Sequence, residues 1–528
     1  MLASGYLGSY SGEHKVGVTA AGTMSFRVLR SDPAHDQSLL AAHFTAQFER
    51  DRLEHAVNML RRASPRLSAA EPLVAWQRIG LVFAAGAVPL LTVLMANGAS
   101  GSWAIALPLF FAVIVFFRIA AVVFMFMQRE RSAPLRVHLS DSELPPYSVI
   151  VPLYRESAVA PALLEAMRAL NYPTAKLEIL FVTEAADTST RAALLDANPS
   201  HHMRILIVPA GQPQTKPRAL NYALQSASGS LVAVFDAEDV PDPLQLRLAA
   251  AHFAASGPDL VCVQARLSIY NPDASILARQ FTLEYAALFE AILPLLQRLG
   301  LPILLGGTSN HFRRSALDEV GGWDPFNVTE DADLGVRLAR FGHAVAMLDS
   351  DTAEEAPALW RDWLGQRTRW LKGWMQTYAV HMRDPQQLWH DLGAWRFLGF
   401  QVTLGGMILS ALVHPWFYAV TAYKLLAGQT IFPADNTLWS LCCFNLAAGY
   451  LAGISLGLIA AWRSQGRVSA LSAFLVPFYW LAISVASYRA LHDLYMRPYH
   501  WEKTPHGPRP VTTAPVPNVP VTTVPAAS

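Results

Sequence analysis

Three short stretches hold most of the residues of this 528-residue chain that could do chemistry. In "LVAVFDAEDVPDP", five apolar residues run straight into Asp236, Glu238 and Asp239 and then into prolines. Side chains two apart on an extended segment point the same way, so Asp236 and Glu238 can hold one divalent ion, and an all-oxygen ligand set suits Mg2+ or Mn2+. In "NVTEDADLG", Thr329 precedes Glu330, Asp331 and Asp333, a pattern that opens a helix. Acids in a first turn complement the helix dipole, and a carboxylate there serves equally well as a proton acceptor. In "QRTRWLKGW", residues 366–374, Gln366, Arg369 and Trp370 fall at i, i+3 and i+4 and share one helical face. An arginine fork grips diphosphate oxygens, a glutamine donates to a sugar or phosphate, and an indole packs on a pyranose ring. The same stretch also reads as a membrane-surface helix, with Trp363, Trp370 and Trp374 at the interface and Lys372 snorkelling.

Two further stretches carry charge. Glu184 and Asp187 follow the strand-like "LEILFV", where an acid can contact a ligand or simply cap the next helix. Lys216 and Arg218 open the helical "KPRALNYAL", and a helix N-terminus reinforced by two cations attracts phosphate.

These residues need a scaffold that brings them together. From about 138 to 390, short β-rich runs ("YSVIVP", "LEILFV", "MRILIV", "LVAVFD", "LVCVQA") alternate with helical ones. That alternation predicts an α/β domain with a largely parallel, doubly wound sheet, whose ligands bind at the carboxyl ends of the strands. The acidic stretches fall at such ends.

Around the domain the chain is apolar: 52% of residues are hydrophobic and 15% charged. Runs at about 74–97 and 102–127 are long enough to cross a bilayer. Further runs lie at about 396–425, 437–461 and 469–492. Arginines 61, 62, 66 and 78 precede the first pair and arginines 129, 131 and 136 follow it, which puts both flanks and the catalytic part in the cytoplasm. Arginines flank the last run on both sides and Pro477 lies within it, so it is expected to dip in and return, or to lie at the interface, giving four spans rather than five. Arg118 sits inside the second run, where a charge lines a polar path or pairs with a neighbouring span. The expected organisation is a partly helical region over 1–72, two spans over 73–128, the catalytic domain over 138–358, an interface helix over 359–392, two spans over 394–462 and the last segment over 468–496. The proline-rich 508–528 reads as disordered. The net charge of +1 gives no reason to expect a nucleic-acid partner, and three scattered cysteines suggest neither a disulfide framework nor a metal cluster.

The ordered set "FDAED", "TEDAD" and "QRTRW", with "KPRALNYAL" upstream, resembles the family 2 glycosyltransferases, in particular the membrane-embedded processive ones such as cellulose and hyaluronan synthases. The resemblance covers about 145–507 and implies a GT-A fold, a nucleotide-sugar donor, inversion at the anomeric carbon and extrusion of a β-linked polymer. It implies that Glu184 or Asp187 contacts the nucleotide, that Asp236 meets its diphosphate, that Glu238 holds the metal, and that Asp331 is the general base. Gln366, Arg369 and Trp370 would bind diphosphate and the acceptor end, with Glu330 beside them. "YHWEKTPHG" resembles a gating loop, over 497–507, with Thr504 facing phosphate. Asn310 and His311 in "GGTSNHFRR" are further candidate acceptor contacts.

The expectation is therefore an enzyme of a bacterial inner membrane that polymerises UDP-glucose and translocates the product, with possible export or regulatory partners. A transferase acting on a lipid acceptor is the alternative. An inactive scaffold or a transporter is a reading of another class.

Overall fold

The computed structural model describes residues 33–97, 105–128, 139–431, 436–464 and 468–500. The chain divides after Glu49 into two units. Of the first, the described part is the opening of helix α1 (Pro33–Ala63). The second carries everything that follows, and its chain order is helices α2 (Ala75–Ala96) and α3 (Ala106–Met127), strands β1 (Tyr147–Leu153), β2 (Leu177–Glu184) and β3 (Met203–Val208), helix α4 (Lys216–Leu224), strands β4 (Leu231–Val234), β5 (Val240–Pro241) and β6 (Leu260–Ile269), helix α5 (Ile276–Ala287), strand β7 (Asn310–Arg313), helix α6 (Glu330–Arg340), strand β8 (Ala344–Glu354), and helices α7 (Trp360–His381), α8 (Gly406–Leu426), α9 (Thr437–Arg463) and α10 (Val476–Met496).

The strands form one eight-stranded sheet in the order β3-β2-β1-β4-β7-β6-β8-β5. The five apolar runs seen in the sequence are β1, β2, β3, β4 and β6. The sheet is mixed rather than largely parallel, because β7 runs antiparallel to both β4 and β6, and β5 antiparallel to β8. The polar sequence of β7, "NHFR", shows no strand periodicity, so the reversal was invisible in the pattern. Alternate residues of β1 serve opposite faces: Val149 and Val151 enter one core layer, and Ile150 enters the other with Leu220 and Tyr222 of α4 and Ala56 of α1.

Five helices of the described chain are long and apolar enough to cross a membrane: α2, α3, the run Pro385–Leu426 that ends in α8, α9, and Ala470–Met496, which contains α10. They carry outward-facing aromatics such as Phe83, Phe116 and Phe478, as expected of surfaces whose solvent is lipid.

The last run differs from expectation in one respect. From Val476 to Met496 it is a single unbroken helix, so it does not dip and turn back. Pro477 lies in its first turn, where a missing N–H costs nothing. Helix α10 lies along α7. At one end the Tyr479 hydroxyl accepts from Trp363 Nε1 at 3.2 Å. At the other, Lys372 Nζ donates to the His500 carbonyl at 2.5 Å and Gln376 Nε2 to the Pro498 carbonyl at 3.0 Å. Lys372 is thus buried as an anchor for the chain after α10 and does not snorkel.

Candidate active site

The turn after β4 is folded by Asp239. Its carboxylate accepts from the Asp236 N–H at 2.6 Å and from the Thr308 hydroxyl. That leaves Asp236 and Glu238, two apart as the strand period requires, facing a cavity of about 480 Å3. Glu330, Asp331, Gln366, Arg369, Trp370, Lys216 and Glu184 line the same cavity. Carboxylates from a strand end and a helix start therefore converge with the arginine and the indole of α7.

Backbone approach makes this convergence possible. A Cβ at Gly373 of α7 would overlap the Thr329 side chain, so this glycine lets α7 press against the start of α6 and bring Arg369 near Asp331. Across the cavity, Lys216 Nζ lies 2.5 Å from Asp236 Oδ1 and donates to the Gly307 carbonyl at 2.7 Å. A Cβ at Gly307 would stand 3.3 Å from Asp331 Oδ2 and 3.8 Å from both Asp236 Oδ2 and Lys216 Nζ. Gly307 thus sits amid the three charged groups, and any side chain there would enter the space between them.

The electrostatics reflect a surplus of buried negative charge. Burial, helped by Asp236, pushes the Glu238 carboxyl up to about 8. Burial and then Asp331 push Glu330 up to about 7 against the pull of Lys216. Burial raises Asp331 as well, opposed by the Ala332 N–H, Lys216 and Arg369. For Lys216, burial alone would favour the neutral amine, but Asp236 and Glu330 outweigh it and hold the ammonium.

Among the described residues no group of three or more His, Cys, Asp or Glu gathers as a complete metal cage. A divalent ion that shares its ligation with phosphate oxygens needs only one or two carboxylates. Asp236 and Glu238, on one wall among like charges, fit that requirement.

The two arginines of "QRTRW" part company. Arg369 lines the cavity. Arg367 also borders it but is caged: its guanidinium lies 4.7 Å from the rings of Phe281 and Trp370 and pairs with Glu284, whose Oε2 also accepts from the Tyr479 hydroxyl at 2.7 Å. Trp370 is held against Tyr285 with ring centroids 6.4 Å apart and planes 24° apart. Thus Arg367 and Glu284 fix the orientation of the indole that Trp370 shows to the cavity.

Other expected residues are tied up in structural pairs or lie outside the cavity. Both oxygens of Glu184 accept from Arg218 Nη2, at 2.6 and 2.5 Å, and Arg218 is fully buried. Glu184 borders the cavity with its charge already matched, and Arg218 is its partner rather than a phosphate contact. Asp187 is a helix cap: it accepts from the Thr190 N–H at 3.2 Å and the Arg155 N–H at 2.5 Å, and it does not line the cavity. Asp333 is buried in an ion pair with Arg337 at 3.0 Å and a contact to His381 at 3.2 Å. Asn310 and His311 lie in β7, outside the cavity lining. His311 is buried between the Tyr147 hydroxyl at 2.7 Å and Gln245 Oε1 at 3.1 Å, and burial pushes it down to about 3. Their acceptor-contact role is thereby corrected to a structural one. Thr504 and the segment 501–507, like the tail 508–528, lie outside the described residues.

The cavity also holds acids that the sequence reading passed over. Glu156 follows β1 in "VPLYRES", and Glu354 and Glu355 lie at the end of β8. A search for acids just beyond every strand's carboxyl end would have found them.

Comparison with known proteins agrees with this geometry. The family model described as glycosyltransferase-like family 2 matches residues 145–373. The chain is 31% identical over 267 residues to the beta-monoglucosyldiacylglycerol synthase of Synechocystis, covering 48% of this chain and 53% of the relative. It is 27% identical over 242 residues to the poly-beta-1,6-N-acetyl-D-glucosamine synthase of Staphylococcus epidermidis, covering 45% and 56%, and 26% identical over 254 residues to a probable glycosyltransferase of Bacillus subtilis, covering 47% and 59%. The chain thus spans little more than half the length of these relatives. A mannosyltransferase from Pyrobaculum calidifontis, solved with GDP-mannose and Mn2+, superposes with a TM-score of 0.50 at 19% identity, covering 74% of this chain and 99% of that one, which shows a shared fold. Residues 145–373 form a glycosyltransferase family 2 domain with a GT-A-like fold, flanked by helices able to cross a membrane.

Proposed function

We propose that the chain is an inverting, processive glycosyltransferase that polymerises a nucleotide-activated sugar, UDP-glucose as the first candidate, into a β-linked glycan and passes it into the membrane. One observation carries this reading. The cavity that begins at Lys216, Asp236 and Glu238 continues past Asp331 and Trp370 to Arg118 of α3, His414 of α8, Gly453 and Gly457 of α9 and Trp480 of α10. A product made at the carboxylates has its way out between helices that can span a bilayer.

In this reading the nucleotide diphosphate lies between Lys216, Asp236 and Arg369. Asp236 and Glu238 would hold Mg2+ or Mn2+, which supplies neutralising charge for the departing diphosphate. Asp331 takes the proton of the acceptor hydroxyl as its oxygen attacks the anomeric carbon. The bond from that carbon to the diphosphate oxygen breaks, and the nucleoside diphosphate leaves with the electron pair. Departure with its charge already matched requires no general acid. Trp370 packs on the terminal sugar of the acceptor. The catalytic domain faces the cytoplasm of a bacterial inner membrane by the distribution of arginines.

A lipid acceptor is the second reading, favoured by the apolar walls of the cavity around Phe281, Leu283 and Phe289. The test is turnover of UDP-glucose by the purified chain with Mg2+ or Mn2+. UDP release with a polymeric product is expected, and Asp331→Asn should abolish both. A single-sugar glycolipid would select the lipid acceptor, and unchanged turnover by the variant would remove Asp331 as the base.

A further inference from the structure

We infer that Gln376 and Tyr499 are positioning residues for the transfer step, holding residues 324–329 so that Asp331, just beyond them, meets the acceptor hydroxyl. The inference rests on the reading of Asp331 as the base, and it holds for a glycan or a lipid acceptor.

Asp331 is the second residue of α6, and Thr329 at the head of that helix caps no N–H with its side chain. The start of α6 is therefore placed from outside. Asn327 is fully buried; its Oδ1 accepts from the Thr329 N–H at 3.0 Å and its Nδ2 donates to Thr377 Oγ1 at 3.0 Å. Gln376, the neighbour of Thr377 on α7, is fully buried too. Its Oε1 accepts from the Val328 N–H at 3.2 Å while its Nε2 donates to the Pro498 carbonyl at 3.0 Å. These partners fix which end of the amide faces which, since an N–H needs an acceptor and a carbonyl a donor. Gln376 thus joins the residue before the head of α6 to the chain that follows α10.

Tyr499 reaches the same segment from the chain after α10. Its ring meets Phe326 edge-on, with centroids 5.8 Å apart and planes 68° apart, and its hydroxyl donates to the Ala70 carbonyl at 2.5 Å. Asp324 ties down the beginning of the segment: its buried carboxylate accepts from the Ser68 hydroxyl at 3.2 Å and from the Phe326 N–H at 3.1 Å. Residues 324–329 are thus held jointly by the chain before α2, by α7 and by the chain after α10. Val328, Thr329, Glu330 and Asp331 line the catalytic cavity, whereas Phe326, Gln376 and Tyr499 do not. The latter act on the reaction only through what they hold. A reacting group misplaced by about 1 Å can cost about a hundredfold in rate. An apolar side chain at 376 would take from a buried N–H and from a carbonyl the partner that each has now, the costly way to lose a hydrogen bond.

The test follows UDP release from UDP-glucose by the full chain with Mn2+, and counts intact sites by titration with UDP and Mn2+. Dividing kcat by that count removes any misfolded fraction. Gln376→Leu should lower kcat per site about ten- to a hundredfold. Its KM for the donor should stay within about twofold, because Lys216, Asp236 and Arg369 keep their places. Tyr499→Ala should lower kcat per site about three- to tenfold, the weight of one aromatic contact, while Tyr499→Phe, which keeps the ring on Phe326, should stay near the wild type. Since both residues hold one segment, the loss in the double variant Gln376→Leu/Tyr499→Ala should fall short of the product of the single losses. Full turnover by Asp331→Asn defeats the reading of the base and this inference with it. An inactive Asp331→Asn beside a Gln376→Leu with wild-type kcat per site overturns the inference alone, and so does a loss confined to the number of sites. Losses that multiply in the double variant overturn the joint action of the two residues.

Discussion

Lys216 Nζ lies 2.5 Å from Asp236 Oδ1, so the first residue of α4 and the first residue after β4's apolar run already form an ion pair at the point where a diphosphate would enter. The ammonium is a fixed cation in a site with more acids than bases. Lys216→Met should raise the KM for the sugar nucleotide about ten- to a hundredfold by removing a charge-assisted contact to phosphate. Steady-state kinetics in donor concentration check this, and an unchanged KM would place the diphosphate elsewhere.

Asp331 must be ionised to accept a proton, and burial holds its carboxyl above the ordinary aspartate value of about 3.9. The rate should therefore fall, as pH drops, at a higher pH than an exposed aspartate would give. The stability effect has the opposite sign. A carboxyl whose folded-state pKa is raised binds its proton more readily when folded, so its contribution is present at low pH and lost as pH rises through the raised value. Asp331→Asn removes that liability. The variant should lose turnover while its Tm at pH 8 stays equal to or above that of the wild type. A lower Tm would mean that Asp331 is structural.

Asp236 and Glu238 predict a coupling between metal and nucleotide. Mn2+ should raise the Tm of the UDP-bound wild type, because a ligand that binds only the folded state stabilises it. Glu238→Gln should lose most of that increment. A full Mn2+ increment in the variant would exclude Glu238 as a ligand.

The arginines of "QRTRW" should fail differently when removed. Arg367→Ala breaks a pair with Glu284, which keeps some solvent contact, and empties an aromatic cage. A loss of roughly 2–4 kcal/mol is expected, somewhat below the roughly 3–5 kcal/mol of a fully buried broken pair. Arg369→Ala should leave the denaturation midpoint near that of the wild type and weaken nucleotide binding. Equal effects of the two substitutions on Tm and on KM would contradict the division of labour.

Gly373→Ala places a methyl group on the Thr329 side chain. Overpacking of this kind costs about 1–3 kcal/mol, and it forces α7 away from the start of α6. Turnover and donor affinity should both fall, because Asp331 rides on α6 and Arg369 on α7. A variant that keeps full turnover would show that this contact does not set the geometry.

The sequence made the site legible where spacing matched a single element. Asp236 and Glu238 obey the strand period, and Gln366, Arg369 and Trp370 obey the helical one, and each group reaches the cavity together. It misled where one residue type has two common uses. Asp187 caps a helix, and His311 fills a buried polar position. Nothing in the pattern could separate Arg367 from Arg369, since the cage around Arg367 is assembled from α5, α7 and α10, far apart in the chain. The antiparallel β7 was hidden by its polar sequence and four-residue length. Gly307 and Gly373 matter only through what their missing side chains admit, and that is visible once neighbours are known.

Density for UDP with Mn2+ bound to the full chain tests the central claim most directly. The expected result is a diphosphate in contact with Lys216 and Arg369, the ion between it and Asp236 and Glu238, and Asp331 facing the open side toward Trp370. A nucleotide bound outside this cavity, or one whose diphosphate is remote from Asp236 and Arg369, would contradict it.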